Sequence, residues 1–466
     1  MMHHWQKKIS RKLLFLTFPI ALQTLLFSSK GLVDNIMLIQ LGERSLAAVS
    51  ISTRIIFVII IFLSGLAMGG GQIAAQQYGS LQINSGDYQK ISQTVAHSLC
   101  LQWLFTLPVC VILLFKADLL LCWIVNDADI KAESIVFLQF FAPSLIFINY
   151  SCSLTNGLRA MQQPYIGLWF SAIGVVSNIA FNYLFIFGSA ISPPMGIAGA
   201  ALGTVFSCLV EAFLLFIYLF NKKHPLARLP LQKTLLEWGS ESSRLYRNLT
   251  LSLQLAANSS LWALGTLVTF SLIGHNDPTT FAALAIISAI ESWSLSVVVG
   301  FSCATSILIG SRIGMNQFSL ALKEGWYALW LSITFGVIIS SIIWLAKPMI
   351  LSVYPKINAD VMFRLESLYN IMAIGFICKS GVMVLLSGIL RGGGDNKFCM
   401  SVDILAQWGI CIPLIWWLSV KIGWVSPWIY ALLLLEDVIK LSISMWRLAS
   451  GRWQHKLLSV TNHNLL

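Results

Sequence analysis

Along this chain, runs of roughly 20 or more apolar residues recur between short polar breaks, and each run is long enough to cross about 30 Å of hydrocarbon as a helix. The pattern predicts twelve spans, at 13–39, 48–76, 92–115, 134–157, 164–188, 195–220, 246–273, 281–310, 325–346, 361–389, 398–420 and 425–449. Alternation of apolar and polar positions over ten-residue strands is absent, which argues against an outer-membrane barrel. The longest polar connection, Asn221 to Arg247, contains His224-Pro225, Pro230 and several charges, and it divides the spans six and six. The expected architecture is an all-α polytopic membrane protein with twelve transmembrane helices in two lobes. Its expected parts are an N-terminal lobe over 1–220, a linker over 221–245, a C-terminal lobe over 246–450 and a tail over 451–466.

The two halves repeat one another. Asn156-Gly157-Leu158-Arg159 matches Gly388-Ile389-Leu390-Arg391, with the arginines 232 residues apart. Leu46-Ala47-Ala48-Val49-Ser50-Ile51 matches Phe281-Ala282-Ala283-Leu284-Ala285-Ile286, and Gln77-Tyr78-Gly79 stands to Arg312-Ile313-Gly314 in the same way, both at an offset of 235. Because each half holds an even number of spans, the repeats are parallel, related by an axis along the membrane normal. Such repeats place a substrate cavity between the lobes near the midplane, with alternating access by rocking; a duplicated scaffold without transport is the other reading.

Composition strengthens the membrane reading. Of 466 residues 57% are hydrophobic and 11% charged, with a mean hydropathy of +0.78, whereas soluble domains are about a quarter charged. Nineteen lysines and arginines fall on the side that carries both termini and seven on the other, which predicts cytoplasmic termini. The net charge of +11 then reflects topology and attraction to anionic lipid, and no nucleic-acid partner is needed. The first dozen residues are basic but run into the first span without an A-x-A site, so an uncleaved helix is expected there. Nine scattered cysteines include no C-x-x-C pair and read as small core residues.

No catalytic constellation stands out. Gly69-Gly70-Gly71 and Gly392-Gly393-Gly394 lack the arrangement that cradles phosphate, and neither H-E-x-x-H nor G-x-S-x-G occurs, so no enzyme is expected. Gly199 and Gly203 read as a close helix contact.

The candidate chemistry is therefore the polar residues inside spans. Asp34, in the first span, leads, because a carboxylate in hydrocarbon costs several kcal/mol and persists mainly where it faces a polar cavity. Asn156 on the fourth span, Asn178 and Asn182 four apart on the fifth, and Thr204 on the sixth add the amide and hydroxyl oxygens that a small hard cation needs; the carboxylate alone could hold a proton. Lys30, four residues before Asp34, could form an ion pair that favours the charged carboxylate, or could meet substrate or lipid headgroups. In the second half the ionisable set is Glu291, Lys379, Asp403, Glu436, Asp437 and Lys440. There Lys379 either neutralises Asp403 or Glu436, or the acids face the cavity and select cations or carry protons. The repeat register sets Thr269 opposite Asp34.

Taken together, these motifs resemble the multidrug and toxic compound extrusion family, MATE. The resemblance rests on Pro19, Val33-Asp34-Asn35-Ile36-Met37, Leu41-Gly42, Leu46-Ala47-Ala48, Gly157-Leu158-Arg159-Ala160, Asn178, Asn182 and Gly196-Ile197-Ala198-Gly199-Ala200-Ala201-Leu202-Gly203-Thr204. It continues through Gly310-Ser311-Arg312-Ile313-Gly314, Leu390-Arg391-Gly392-Gly393-Gly394-Asp395 and Trp446-Arg447 to Trp453. The resemblance implies an efflux antiporter of the bacterial inner membrane, monomeric, that exports amphipathic or cationic compounds in exchange for H+ or Na+ and needs no cofactor. It assigns coupling to Asp34, with Asn156, Asn178, Asn182 and Thr204 around it and Na+ as one occupant. Some relatives carry aspartate where Asn182 stands, which here leaves one carboxylate in that cluster. Glu291 is all that remains of the acids one branch uses on helices 7 and 8, while Asp403 and Glu436-Asp437 look closer to DinF-like members. The rival is a lipid-linked saccharide flippase on a related scaffold, for which Lys30, Arg54 and Lys379 are few cations.

Overall fold

The computed structural model describes residues 2–83, 88–122, 127–188, 193–231, 242–276, 278–352, 358–423 and 427–457. Among them every regular element is helical. The first half contains α1 (Met2–Ile39), α2 (Glu43–Ile83), α3 (Gln89–Phe115), a short α4 (Ala117–Leu121), α5 (Ala128–Phe141), α6 (Ser144–Ala160), α7 (Pro164–Phe187) and α8 (Gly196–Asn221). The second contains α9 (Ser242–Asn276), α10 (Pro278–Gly314), α11 (Phe318–Ser352), α12 (Ala359–Leu390), α13 (Asn396–Lys421) and α14 (Leu432–Ala449).

Ten of these helices are long and apolar enough to cross a membrane, and α5 with α6, bent by 48° where Pro143 removes a backbone donor, makes an eleventh. The last expected span corresponds to α14, which carries Glu436, Asp437, Lys440 and Arg447 within 18 residues. That charge masks it in hydropathy alone. Large apolar side chains such as Phe18, Trp169, Leu345 and Met349 are more than half exposed, which suits a surface solvated by lipid.

The chain packs as two compact units, Gln23–Ala257 and Met1–Leu22 joined with Asn258–Leu466. Part of the expected linker over 221–245, residues 232–241, lies outside the described residues; the changeovers between units lie inside α1 and α9. They stand at equivalent repeat positions, 235 residues apart. The cause is visible in the apolar contacts. Ile9, Leu13, Leu16 and Ile20 pack in the core of the later half with Leu308, Leu365 and Ile389, while Leu249, Leu253 and Ala256 pack with Leu63, Leu66 and Leu101.

The first unit places its polar helices close together through glycine. A Cβ on Gly199 would strike the Phe185 carbonyl and one on Gly203 would strike Asn182, so the α7–α8 approach requires both, as the spacing suggested. In the other unit the expected tail begins as packed structure. Trp453 is fully buried and its Nε1 donates to Leu448 O at 3.2 Å. A Cβ on Gly393 would collide with that indole, and the His455 N–H donates to Gly393 O at 2.7 Å. Residues 458–466 lie outside the described residues.

Candidate functional site

In the unit Gln23–Ala257, α1, α7 and α8 bring four of the expected residues into one hydrogen-bonded chain. Asn178 and Asn182 are fully buried on one face of α7, and Thr204 faces them from α8. Asn182 Nδ2 donates to Asp34 Oδ1 at 2.5 Å. Asn178 Nδ2 is within 3.4 Å of both Asn182 Oδ1 and Thr204 Oγ1. The buried Asn178 Oδ1 has no hydrogen-bond partner among the described residues, and a buried acceptor in that condition is costly. The ensemble is one carboxylate among neutral oxygens, and no cluster of three His, Cys, Asp or Glu occurs among the described residues. Its charge matches a proton or a monovalent cation better than a divalent one.

Two expected members stand differently. Asn156 is not joined to this chain; its Nδ2 contacts Cys152 Sγ at 3.6 Å, beside Gly71. Its amide is used locally, on its own helix. Lys30 does not close the ion pair with Asp34 that its spacing allowed, among the described residues; its Nζ reaches Ser207 Oγ on α8 at 3.5 Å.

A second polar chain in this unit was not anticipated. Arg159 Nη2 donates to Gln23 Oε1, Gln23 Nε2 donates to Ser171 Oγ at 2.8 Å, and Ser171 Oγ donates to Glu211 Oε1 at 3.0 Å. Gly174 leaves the space that Glu211 Oε2 fills. The signal for it lay in the repeat, because Gln23, Arg159 and Ser171 correspond to Asn258, Arg391 and Asp403 at offsets of 235, 232 and 232.

In the other unit those counterparts form a salt-bridged network. Asp403 accepts from Asn258 Nδ2 at 3.0 Å and Arg391 Nη2 at 3.1 Å, and Lys440 Nζ sits 2.9 Å from its other oxygen. Lys440 also pairs with Glu436 at 2.8 Å. Lys379 neutralises neither Asp403 nor Glu436, as had been one expectation; its partner is Glu291. The reason is supply, since Lys440 lies one turn after Glu436 on α14 and Arg391 already reaches Asp403. Thr269, the counterpart of Asp34, is buried with its hydroxyl lacking a partner among the described residues.

Helices of this number and hydropathy, carrying buried polar chains, define a polytopic membrane protein. The sequence pattern of the MatE family matches residues 19–184 and 255–417, one stretch in each half, and the chain belongs to that family. It is therefore a transporter and not an enzyme. Among its relatives, the probable multidrug resistance protein NorM of Mesorhizobium japonicum is 24% identical over 95% of this chain and 94% of its own. The uncharacterized transporter YisQ of Bacillus subtilis is 24% identical over 95% of this chain and 93% of its own. Among solved structures, the outward-facing conformation of a multidrug resistance MATE family transporter of the MOP superfamily superposes with a TM-score of 0.82 at 17% identity, covering 95% of this chain and 97% of that one. At that identity the likeness shows the fold.

Proposed function

We propose that this protein is a secondary multidrug efflux antiporter that exports amphipathic or cationic compounds in exchange for H+ or Na+, with both termini in the cytoplasm of a bacterial inner membrane. The observation that carries the coupling role is Asp34, a carboxylate in a membrane helix that accepts from the Asn182 amide rather than from a fixed cation. A carboxylate so placed can exchange a proton or a sodium ion, whereas one held in a salt bridge is already neutralised. Asn182 holds the carboxylate, Asn178 donates to Asn182, and Thr204 accepts from Asn178. The free Asn178 oxygen supplies a neutral ligand for Na+; for H+ the carboxylate suffices.

Occupation of Asp34 changes how α1 meets α7 and α8, because the Asn182 N–H that serves a carboxylate oxygen must serve a neutralised one. Ion and substrate then bias the same conformational equilibrium from different sites, which is the thermodynamic content of antiport. The family relationship to proteins named for multidrug resistance supports the substrate class. The test is efflux of a cationic dye from proteoliposomes under an imposed pH gradient and, separately, an imposed sodium gradient. Wild-type efflux follows one of them, and Asp34→Asn follows neither; a full gradient-dependent rate in Asp34→Asn overturns the assignment.

A further inference from the structure

Lys30 stands one helical turn before Asp34 on α1, on the same face. Its ammonium rests on Ser207 Oγ of α8, one turn before Glu211 on that helix. It thus lies one turn from Asp34 along α1 and, at Ser207, one turn from Glu211 along α8, yet among the described residues it closes an ion pair with neither. The other charged and titratable groups nearby are Arg159, engaged with Gln23, and the Cys152 and Cys208 thiols. α7 contributes Ser171, Asn178 and Asn182 to this region, all neutral. Glu211 for its part accepts from Ser171 Oγ, a neutral donor.

An ammonium in hydrocarbon is as costly as a carboxylate, and such residues are retained facing a partner or a polar cavity. A lysine has a flexible four-carbon stem and a compact charge that reorients without rebuilding a planar fork. Two acids share it, and it is committed to neither. We propose that Lys30 is the movable counter-ion of the transport cycle, neutralising Asp34 while that carboxylate is empty and turning to Glu211 when Asp34 takes up its ion. Glu211 is then the second carboxylate of the cycle, held by Ser171 until the ammonium arrives. No bond is made or broken except the reversible capture of the proton or sodium ion by Asp34; the lysine keeps its protons throughout. The inference rests on the coupling role of Asp34.

The experiment is gradient-driven efflux of ethidium from proteoliposomes holding full-length protein, compared across Lys30→Gln, Lys30→Arg, Glu211→Gln, the Lys30→Gln/Glu211→Gln double variant and Asp34→Asn. Lys30→Gln is expected to slow efflux about tenfold, the scale of a coupling free energy between sites. Glu211→Gln is expected to do the same, because the ammonium then stays on Asp34. Lys30→Arg keeps the charge and is expected to remain within about threefold of wild type. The double variant is expected to be about as slow as Lys30→Gln alone, since Glu211 acts in the cycle only through the ammonium, so the losses are strongly non-additive. Losses that multiply in the double variant, or a wild-type rate in Lys30→Gln, overturn the proposal. If Lys30→Gln does not fold, Glu211→Gln decides alone, a wild-type rate again overturning it. A dead Asp34→Asn beside a fully active Lys30→Gln removes only the lysine proposal, whereas a fully active Asp34→Asn removes the coupling assignment beneath it.

Discussion

In the unit Gln23–Ala257, Asp34 is met by the amide of Asn182, while in the other unit Asp403 is met by Arg391, Lys440 and Asn258. Both aspartates lie inside helices that cross hydrocarbon. Among the described residues, the surroundings of Asp34 answer its charge with a neutral amide and no ion pair. Those of Asp403 answer its charge with two cations, Glu436 shares Lys440 with Asp403, and Glu291 pairs with Lys379. The contrast reaches equivalent positions of the repeat. An arginine and an amide recur at Arg159 and Gln23 and at Arg391 and Asn258, but a neutral serine at 171 in one unit is an aspartate at 403 in the other. A duplicated scaffold has thus kept one polar joint and changed its charge, so that Asp403 is braced by ion pairs while Asp34 and Glu211 accept from neutral donors.

The comparison is broken most severely by removing the cation from the braced unit. Lys440→Met leaves Asp403 and Glu436 short of a buried partner, and a broken buried pair costs about 3–5 kcal/mol. Thermal unfolding in detergent is expected to fall accordingly, with Asp34→Asn changing it far less. Equal shifts for the two variants contradict the division of labour.

A smaller change converts one unit toward the other. Ser171→Asp places a second carboxylate beside Glu211, at a position where a hydroxyl now donates to it, and is expected to destabilise the protein by about 2 kcal/mol. Adding Glu211→Lys supplies the cation that Lys440 supplies to Asp403. Recovery of at least about 1 kcal/mol in the double variant, read from the same unfolding curves, shows that the two joints are versions of one design. No recovery breaks the equivalence.

The smallest effect concerns a group outside the spans. His224 Nδ1 accepts the Leu226 N–H at 3.2 Å, and burial lowers its pKa from the usual 6.5. The folded protein therefore resists its protonation more than the unfolded chain does. Its contribution is intact above 6.5 and is lost as the pH falls below that value. His224→Gln is expected to lose less stability than wild type on going from about pH 7.5 to about pH 5.5, by under about 1 kcal/mol. An unchanged pH dependence contradicts it.

Most of the helical architecture was legible because an apolar run of membrane length admits little but a helix. Where hydropathy misleads is α14, whose Glu436, Asp437, Lys440 and Arg447 lower it, and the fourth span, which Pro143 bends. The repeat was legible too, but not that α1 and α9 change units at Leu22 and Ala257, since one helix carries both apolar faces without a break in composition. That Asp34, Asn178, Asn182 and Thr204 belong together was legible because charge and amides in hydrocarbon need polar partners, and the four share one hydrogen-bonded chain. Asn156 was grouped with them by residue type, and type does not fix direction. Gln23, Ser171 and the true partner of Lys379 stayed hidden because hydrogen bonds between distant helices follow from packing. The constant repeat offset pointed at Gln23 and Ser171 alone.

The central claim is that Asp34 surrenders an ion as substrate binds. Purified protein in weakly buffered detergent solution, titrated with a cationic dye while free H+ and Na+ are both recorded, tests it directly. The account predicts release of one of the two ions from wild type and none from Asp34→Asn that still binds dye; equal release from both proteins contradicts it.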